Sequence, residues 1–291
     1  MSVSRHYSSP YISGETAWLR GNLHTHTTDS DGNLSPQQTV AAYAAMGYDF
    51  LMISDHDRMT PVDTLDPCGM VLLQGNEITS GGPHVLHVGA REVVEPLPDR
   101  QAVIDAILAD GGLAVMNHPN WESHFNHCPQ SVLEGLTGYM GIEVFNGVTL
   151  HAEGCPYAMD RWDMLLSQGR RVWGFAHDDN HADEHRGLGW IMVQGGDRSP
   201  EALLYALKNG RFYASTGVFI TRMDTEDCVL RIQTQNAQSF HVIGDHGRVL
   251  ARVTGKNLEY GVPELLNAAY LRVECFGPGA AMAWTQPFFL S

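Results

Sequence analysis

Short apolar runs of strand length alternate with helix-like segments over most of the first 210 positions, and polar residues collect where the apolar runs end. Residues 17–26 begin Ala17-Trp18-Leu19 and read as a strand, on which positions two apart share a face, so His24 and His26 point the same way. Ser35-Pro36 reads as an N-cap with proline at the first helical position, opening an alanine-rich helix over 37–46 that Gly47 stops. The nearly unbroken apolar stretch 48–54 has the pattern of a strand buried on both faces, and it delivers Asp55-His56-Asp57.

The same unit recurs. Residues 70–73 lead to Glu77, and a strand over 85–88 carries His84 and His87 on opposite faces. A helix over 99–109 ends at Gly111-Gly112, after which 113–116 runs into Asn117-His118-Pro119. Residues 141–146 carry Glu143; a helix over 160–167 stops at Gly169; 172–176 runs into His177-Asp178-Asp179-Asn180-His181. A last strand over 190–193 precedes a helix capped by Ser199-Pro200. Strands alternating with helices imply parallel strands joined by crossovers, hence an α/β sheet or barrel, whose active site lies at the C-terminal strand ends. From about Val218 the pattern changes to short alternating segments such as 228–232 and 270–275, which read as antiparallel strands with one wet face. This divides the chain into residues 1–220 and a small β appendage at 221–291.

Composition narrows the class. The 291 residues are 43% hydrophobic and 18% charged, ordinary for a globular protein, with no run near the roughly 18 apolar residues of a membrane span. The first residues lack the apolar core of a secretory signal, and the five cysteines are scattered without a CxxC pair, so a cytoplasmic protein with reduced thiols is expected. A formal net charge of -15 argues against a nucleic-acid polymer or an anionic membrane as partner. A small anionic substrate would need a local positive field, which bound cations can supply.

Histidine is the unusual component: of fifteen, twelve lie between His24 and His185, a concentration that points to a polynuclear metal centre. A lone H-x-H is more often a pair of hydrogen-bonded histidines than a ligand pair, and each candidate taken alone has such an alternative. His56, Glu77, His118, Asp179 and His181 become candidates because they all fall at strand ends that the fold brings to one mouth.

The ordered series His24-x-His26 with Ser30-Asp31-Gly32, then Ser54-Asp55-His56-Asp57, Glu77, Asn117-His118-Pro119, Glu143 and Asp179-x-His181 resembles the PHP family, named for polymerase and histidinol phosphatase. Stretches at 162–169, 178–181, 210–217 and 283–287 are similar to its carbaryl-hydrolase-like metallohydrolases. The resemblance covers roughly residues 18–220. It implies a distorted (β/α)7 TIM-like barrel of the PHP type, with two or three divalent metals at its mouth. It suggests His24, His26, Glu77 and Asp179 for one metal, Glu77 as a bridge to a second that takes His118, and Asp31, His56 and His181 for a third. Asp31 and Glu143 stand where many or some relatives carry histidine, and Glu143 is taken as a further ligand. His84 is left open among ligand, substrate contact and core.

Imidazole and carboxylate ligands without thiolate suit zinc, manganese or iron. With Glu77, Asp179 and His181 as the catalytic residues, the expected activity is that of a metal-dependent phosphoesterase acting on a small phosphate mono- or diester through a metal-bridging hydroxide. Two alternatives use the same site: cleavage of a carbamate, ester or amide, and metal-stabilised ligand binding without turnover. Arg58 and Arg186 are candidate phosphate forks, and His151, His177 and His185 are candidate proton carriers at the substrate. Trp121 and Phe125 either stack on substrate or pack their loop.

Overall fold

A computed structural model describes residues 7–14, 17–226, 228–263 and 266–290. The fold is mixed α/β. Strands Trp18–Asn22, Phe50–Met52 and Val71–Leu73 pair in parallel and belong to an eleven-stranded sheet. Strands Gly75–Ile78, Val85–Val88, Leu113–Met116, Gly141–Asn146 and Trp173–His177 form a second, five-stranded sheet. Only Gln74 separates Val71–Leu73 from Gly75–Ile78, so the chain passes from one sheet to the other within a single residue.

The expected barrel is corrected here, because the two sheets do not close into a continuous hydrogen-bonded ring. They meet at isolated parallel bridges, Thr25 with Asn180 and His56 with Glu77. Both seams lie at C-terminal strand ends, which draws the candidate residues together. Nor are the strands uniformly parallel. The connection from Ile78 to Val85 is too short for a crossover and forces an antiparallel pair, and Val85–Val88 also runs antiparallel to Leu113–Met116.

Helices follow the local signals. Pro36–Ala45 starts where Ser35 donates its N–H to Gln38 Oε1 at 3.0 Å. Arg100–Asp110 is capped by Asp99, which accepts from the Gln101 and Ala102 amides, and it ends at Gly111 in the left-handed region. Met159–Ser167 and Pro200–Lys208 match the expected helices to within a residue or two. The short helix Gln130–Gly135 was not foreseen, having too few residues to show a period.

The C-terminal strands extend the main sheet. Met282–Thr285 pairs with Phe212–Ser215 on one side and Tyr270–Phe276 on the other, while Ile220–Glu226, Val229–Thr234 and Asn257–Gly261 form a separate three-stranded sheet. One apolar core therefore runs from Val40, Tyr43 and Leu51 to Phe240 and Val273. The Phe50 ring packs so closely over the neighbouring strand that a Cβ on Gly21 would lie 2.1 Å from it. Arg272 is buried here and binds Asp163 on the helix Met159–Ser167 through two hydrogen bonds of 2.6 and 2.7 Å. Among the described residues, no helix is long and apolar enough to cross a membrane, and Cys68, Cys128, Cys155 and Cys275 are free thiols.

Candidate metal centre

The strand Trp18–Asn22 ends sooner than its sequence suggests, and His24 and His26 lie just beyond it, where the chain bridges to Asn180. The alternation persists into this extension and both imidazoles are fully buried. His24 Nε2 lies 3.3 Å from Glu77 Oε1 and 3.2 Å from Asp179 Oδ1; His26 Nε2 lies 3.1 Å from Asp179 Oδ1 and 3.6 Å from Glu77 Oε2. Four side chains from three separate strand ends thus aim at one point.

Two further groups adjoin it. Glu77 Oε1 is 3.2 Å from both His118 Nε2 and His84 Nδ1, so the carboxylate faces a second imidazole pair. Toward solvent, Asp31 lies 3.4 Å from His56 Nε2 and 3.3 Å from His181 Nε2, while His56 Nδ1 is 3.0 Å from Glu77 Oε2. Glu77 therefore touches all three groups. Among the described residues, the sets His24, His26, Glu77 and His26, Asp31, His56, His181 each bring one donor atom per residue within 4.8 Å of one another.

The unpaired atoms test whether cations fit. His24 Nε2, His26 Nε2, His56 Nδ1, Glu77 Oε2 and Asp179 Oδ1 are buried and lack a hydrogen-bond partner of good geometry. A buried polar atom without a partner costs on the order of 1–3 kcal/mol, so several directed at one point are tolerated where a shared charge satisfies them. Titration behaviour agrees. Burial opposes charge on His24, yet Asp179, Glu77 and Glu143 outweigh it and hold its pKa well above the usual value. Burial likewise opposes ionisation of Glu77 and Asp179, but the surrounding imidazoles hold both well below the carboxylate range. Glu77 and Asp179 thus stay ionised among the imidazoles, and nitrogen and oxygen ligands without sulfur suit a divalent cation.

The surrounding frame is densely hydrogen-bonded. His118 and Asp179 have φ of 25° and 53°, a region that side chains rarely adopt, and each is pinned by main-chain bonds: His118 N–H to Glu143 Oε2 at 2.7 Å and Asp179 N–H to the His24 carbonyl at 3.0 Å. Asp55 accepts from the Thr27 amide and from the Thr27 and Ser30 hydroxyls, bracing the loop that carries Asp31. Asp57, at φ 53°, accepts from the Thr79 and Ser80 amides behind Glu77. Asp178 accepts from the Gly187, Leu188 and Gly189 amides and from the Tyr43 hydroxyl, fixing the turn after His181.

Other expected residues fall differently. Glu143 lies behind His24, with Oε1 2.7 Å from His24 Nδ1 and 2.9 Å from His177 Nδ1. His177, expected at the substrate, is fully buried against Glu143 and Phe175. Arg58 is mostly exposed and donates to the Asp29 carbonyl at 2.8 Å, whereas Arg186 pairs with Asp183 and keeps Nη1 buried without a partner. The His151 and His185 rings are 5.1 Å apart, and His185 is 6.3 Å from His181, so they continue the imidazole series away from the cluster. Trp121 packs 5.0 Å from His118 and 5.7 Å from His84, while Phe125 is exposed.

Sequence reasoning gave no role to Asn117, which donates to Glu77 Oε1 at 2.6 Å, or to Asn146, which reaches both Glu143 and Asp179. Their position at apolar strand ends was the available signal. His127 Nε2 accepts the His84 amide N–H at 3.0 Å.

No family model and no curated protein matches the chain. Among solved structures, it is similar over 97% of its length, and over 91% of the other chain, to a two-domain protein from Bacteroides vulgatus described as containing a predicted PHP-like metal-dependent phosphoesterase, with 17% identity and a TM-score of 0.55. An amidohydrolase from Chromobacterium violaceum aligns with 56% of this chain and 88% of its own, at 17% identity and a TM-score of 0.42. A Bifidobacterium adolescentis protein provisionally named a metal-dependent phosphoesterase aligns with 58% of this chain and 90% of its own, at 16% identity and a TM-score of 0.43. The chain shares the fold of the Bacteroides protein.

Proposed function

We propose that the chain is a metal-dependent hydrolase that cleaves a small phosphate mono- or diester at the mouth where the two sheets meet. The observation that carries this reading is the convergence of His24 Nε2, His26 Nε2, Glu77 Oε2 and Asp179 Oδ1, all buried and without good hydrogen-bond partners, on one point. Those four residues would hold one cation. Glu77 with His118 and His84 would hold a second, and Asp31, His56 and His181 a third, with zinc, manganese or iron as the candidate ions. The similarity to a protein described as a PHP-like phosphoesterase favours a phosphate substrate.

Bound cations would supply Lewis acidity and a water of lowered pKa, which suits phosphoryl transfer. The chain's own residues do the rest. The fixed turns at His118 and Asp179 hold the donors before substrate arrives, so positioning costs little at the moment of reaction. Asp55 and Asp57 keep the outer and bridging carboxylates in place. Arg186, with an unpartnered Nη1, is the arginine best suited to bind a phosphate oxygen, while His185 and His151 lead from His181 and can carry the leaving group's proton. Cations held by the cluster would be the local positive field that a protein of net charge -15 needs to hold an anion.

The test is to load metal-free protein separately with zinc, manganese and iron and assay each form against aryl phosphates and aryl carbamates. Phosphate release by at least one form is expected. Carbamate hydrolysis without phosphatase activity would move the reading to the other ester class, and inactivity of every loaded form toward both would reject hydrolysis.

A further inference from the structure

Glu143 lies among the ligands, but its lone pairs are already taken. Oε1 receives the Nδ1 atoms of His24 at 2.7 Å and His177 at 2.9 Å; Oε2 accepts the His118 amide N–H at 2.7 Å and the Asn146 side-chain amide at 2.9 Å. A carboxylate offers about four lone-pair sites, so these contacts use its whole accepting capacity.

Three of the four contacts lead to donors of the cluster. His24 is held through the nitrogen that does not face the cluster, which leaves Nε2 directed at Glu77 and Asp179. His118 is held through its main chain at a φ of 25°, a conformation side chains rarely adopt, by the bond from its N–H to Glu143 Oε2. Asn146 uses the same side-chain nitrogen to approach Asp179 Oδ2 at 3.1 Å. One carboxylate thus reaches three donors that come from three different strand ends.

We propose that Glu143 is the positioning residue of this cluster and not a cation ligand: it fixes the tautomer and aim of His24 and the backbone of His118, and through Asn146 the carboxylate of Asp179. A carboxylate behind a ligating histidine makes the imidazole a better donor and stops its ring from turning. The rival arrangement, a cation held by His24, His177 and Glu143, whose donor atoms also lie within 4.8 Å of one another, would have to displace two buried imidazole N–H bonds. It would also lie in a fully buried spot beside Phe175.

The inference rests on the cation reading above, and its test separates the two. Zinc stoichiometry and affinity are measured on the whole protein by competition with a chromophoric chelator, for wild type, Glu143→Gln and Glu143→Ala. Wild-type stoichiometry is expected in both variants. Affinity should fall by about 10-fold in Glu143→Gln, whose side-chain carbonyl still accepts from His24, and by about 100-fold in Glu143→Ala. Loss of one equivalent in Glu143→Gln would make Glu143 a ligand and overturn the proposal, as would unchanged affinity in both variants. Wild type that binds no zinc, manganese or iron would reject the cation reading itself. Should the variants not fold, the anomalous zinc signal in wild-type crystals decides: a zinc at His24 Nε2 and out of reach of Glu143 supports the proposal, and a zinc bonded to Glu143 overturns it.

Discussion

His26 Nε2 and Asp179 Oδ1 lie 3.1 Å apart in the buried floor of the cluster, and neither atom has a hydrogen-bond partner of good geometry. The pair brings together an imidazole just past the strand Trp18–Asn22 and a carboxylate just past Trp173–His177, across the seam where Thr25 bridges to Asn180. Asp179→Asn keeps the shape and removes the charge. The variant is expected to bind one cation fewer and to lose about 10²-fold or more in kcat, with unchanged far-ultraviolet circular dichroism. Wild-type stoichiometry in this variant would remove Asp179 from the ligand set.

The buried Arg272 guanidinium makes bidentate contact with Asp163 and also reaches Glu274 at 2.8 Å, joining the C-terminal strands to the helix Met159–Ser167. Arg272→Ala strands the Asp163 carboxylate in the interior and should cost about 3–5 kcal/mol in urea denaturation. Replacing both members of the central pair by apolar residues, Arg272→Met with Asp163→Leu, should recover much of that loss, because the Asp163 charge is no longer stranded in the interior. Equal destabilisation of single and double variants would show that the site depends on the ionic contacts themselves.

How far the sequence could carry these conclusions follows from what kind of signal each residue gives. His24, His26, Glu77, His118 and Asp179 were legible because apolar strands and the polar residues at their ends leave a local pattern, and the fold only had to bring the ends together. The seams were not legible, since a single Gln74 between two strands and two isolated bridges leave no periodicity. Glu143 was placed correctly on its strand, but whether it meets a cation or the back of His24 depends on which nitrogen of an imidazole faces it. His177, read as a candidate proton carrier, lies at the buried end of the strand Trp173–His177, and its contact with Glu143 left no pattern in the sequence.

The titratable groups give the metal-free protein a pH profile of definite sign. Burial opposes charge on His56, but Asp31 and Glu77 outweigh it and raise its pKa to about 10. A histidine in the unfolded chain titrates near ~6.5, so the stabilisation from His56 is fully present below that pH and is lost as pH rises through about 10. Glu77 and Asp179 are depressed, so their contribution is present above roughly pH 4 and disappears as pH falls further. In chelator, the thermal midpoint should therefore decline from pH ~6.5 toward 10, and His56→Ala should flatten that decline. Saturating zinc should also abolish it, because the cation takes the place of the imidazole protons. A decline of the same steepness in His56→Ala would assign it to other groups.

The three donor groups differ in access to solvent, and that difference sets an order of cation release. The Asp31 side chain is 54% exposed and those of His56 and His181 28% and 24%, whereas His24, His26 and Glu77 are at most 1% exposed. A chelator can approach an outer cation directly, but an inner one must first part from donors that Asp57, Asn117 and Glu143 hold in place. Release from the loaded protein should thus be biphasic, with the fast phase belonging to the outer group. Asp31→Ala is expected to abolish the fast phase and one equivalent of cation while leaving the slow phase unchanged, as read by stopped-flow mixing with a chromophoric chelator. A single phase in wild type, or a fast phase that persists in Asp31→Ala, would mean that Asp31, His56 and His181 do not hold a cation of their own.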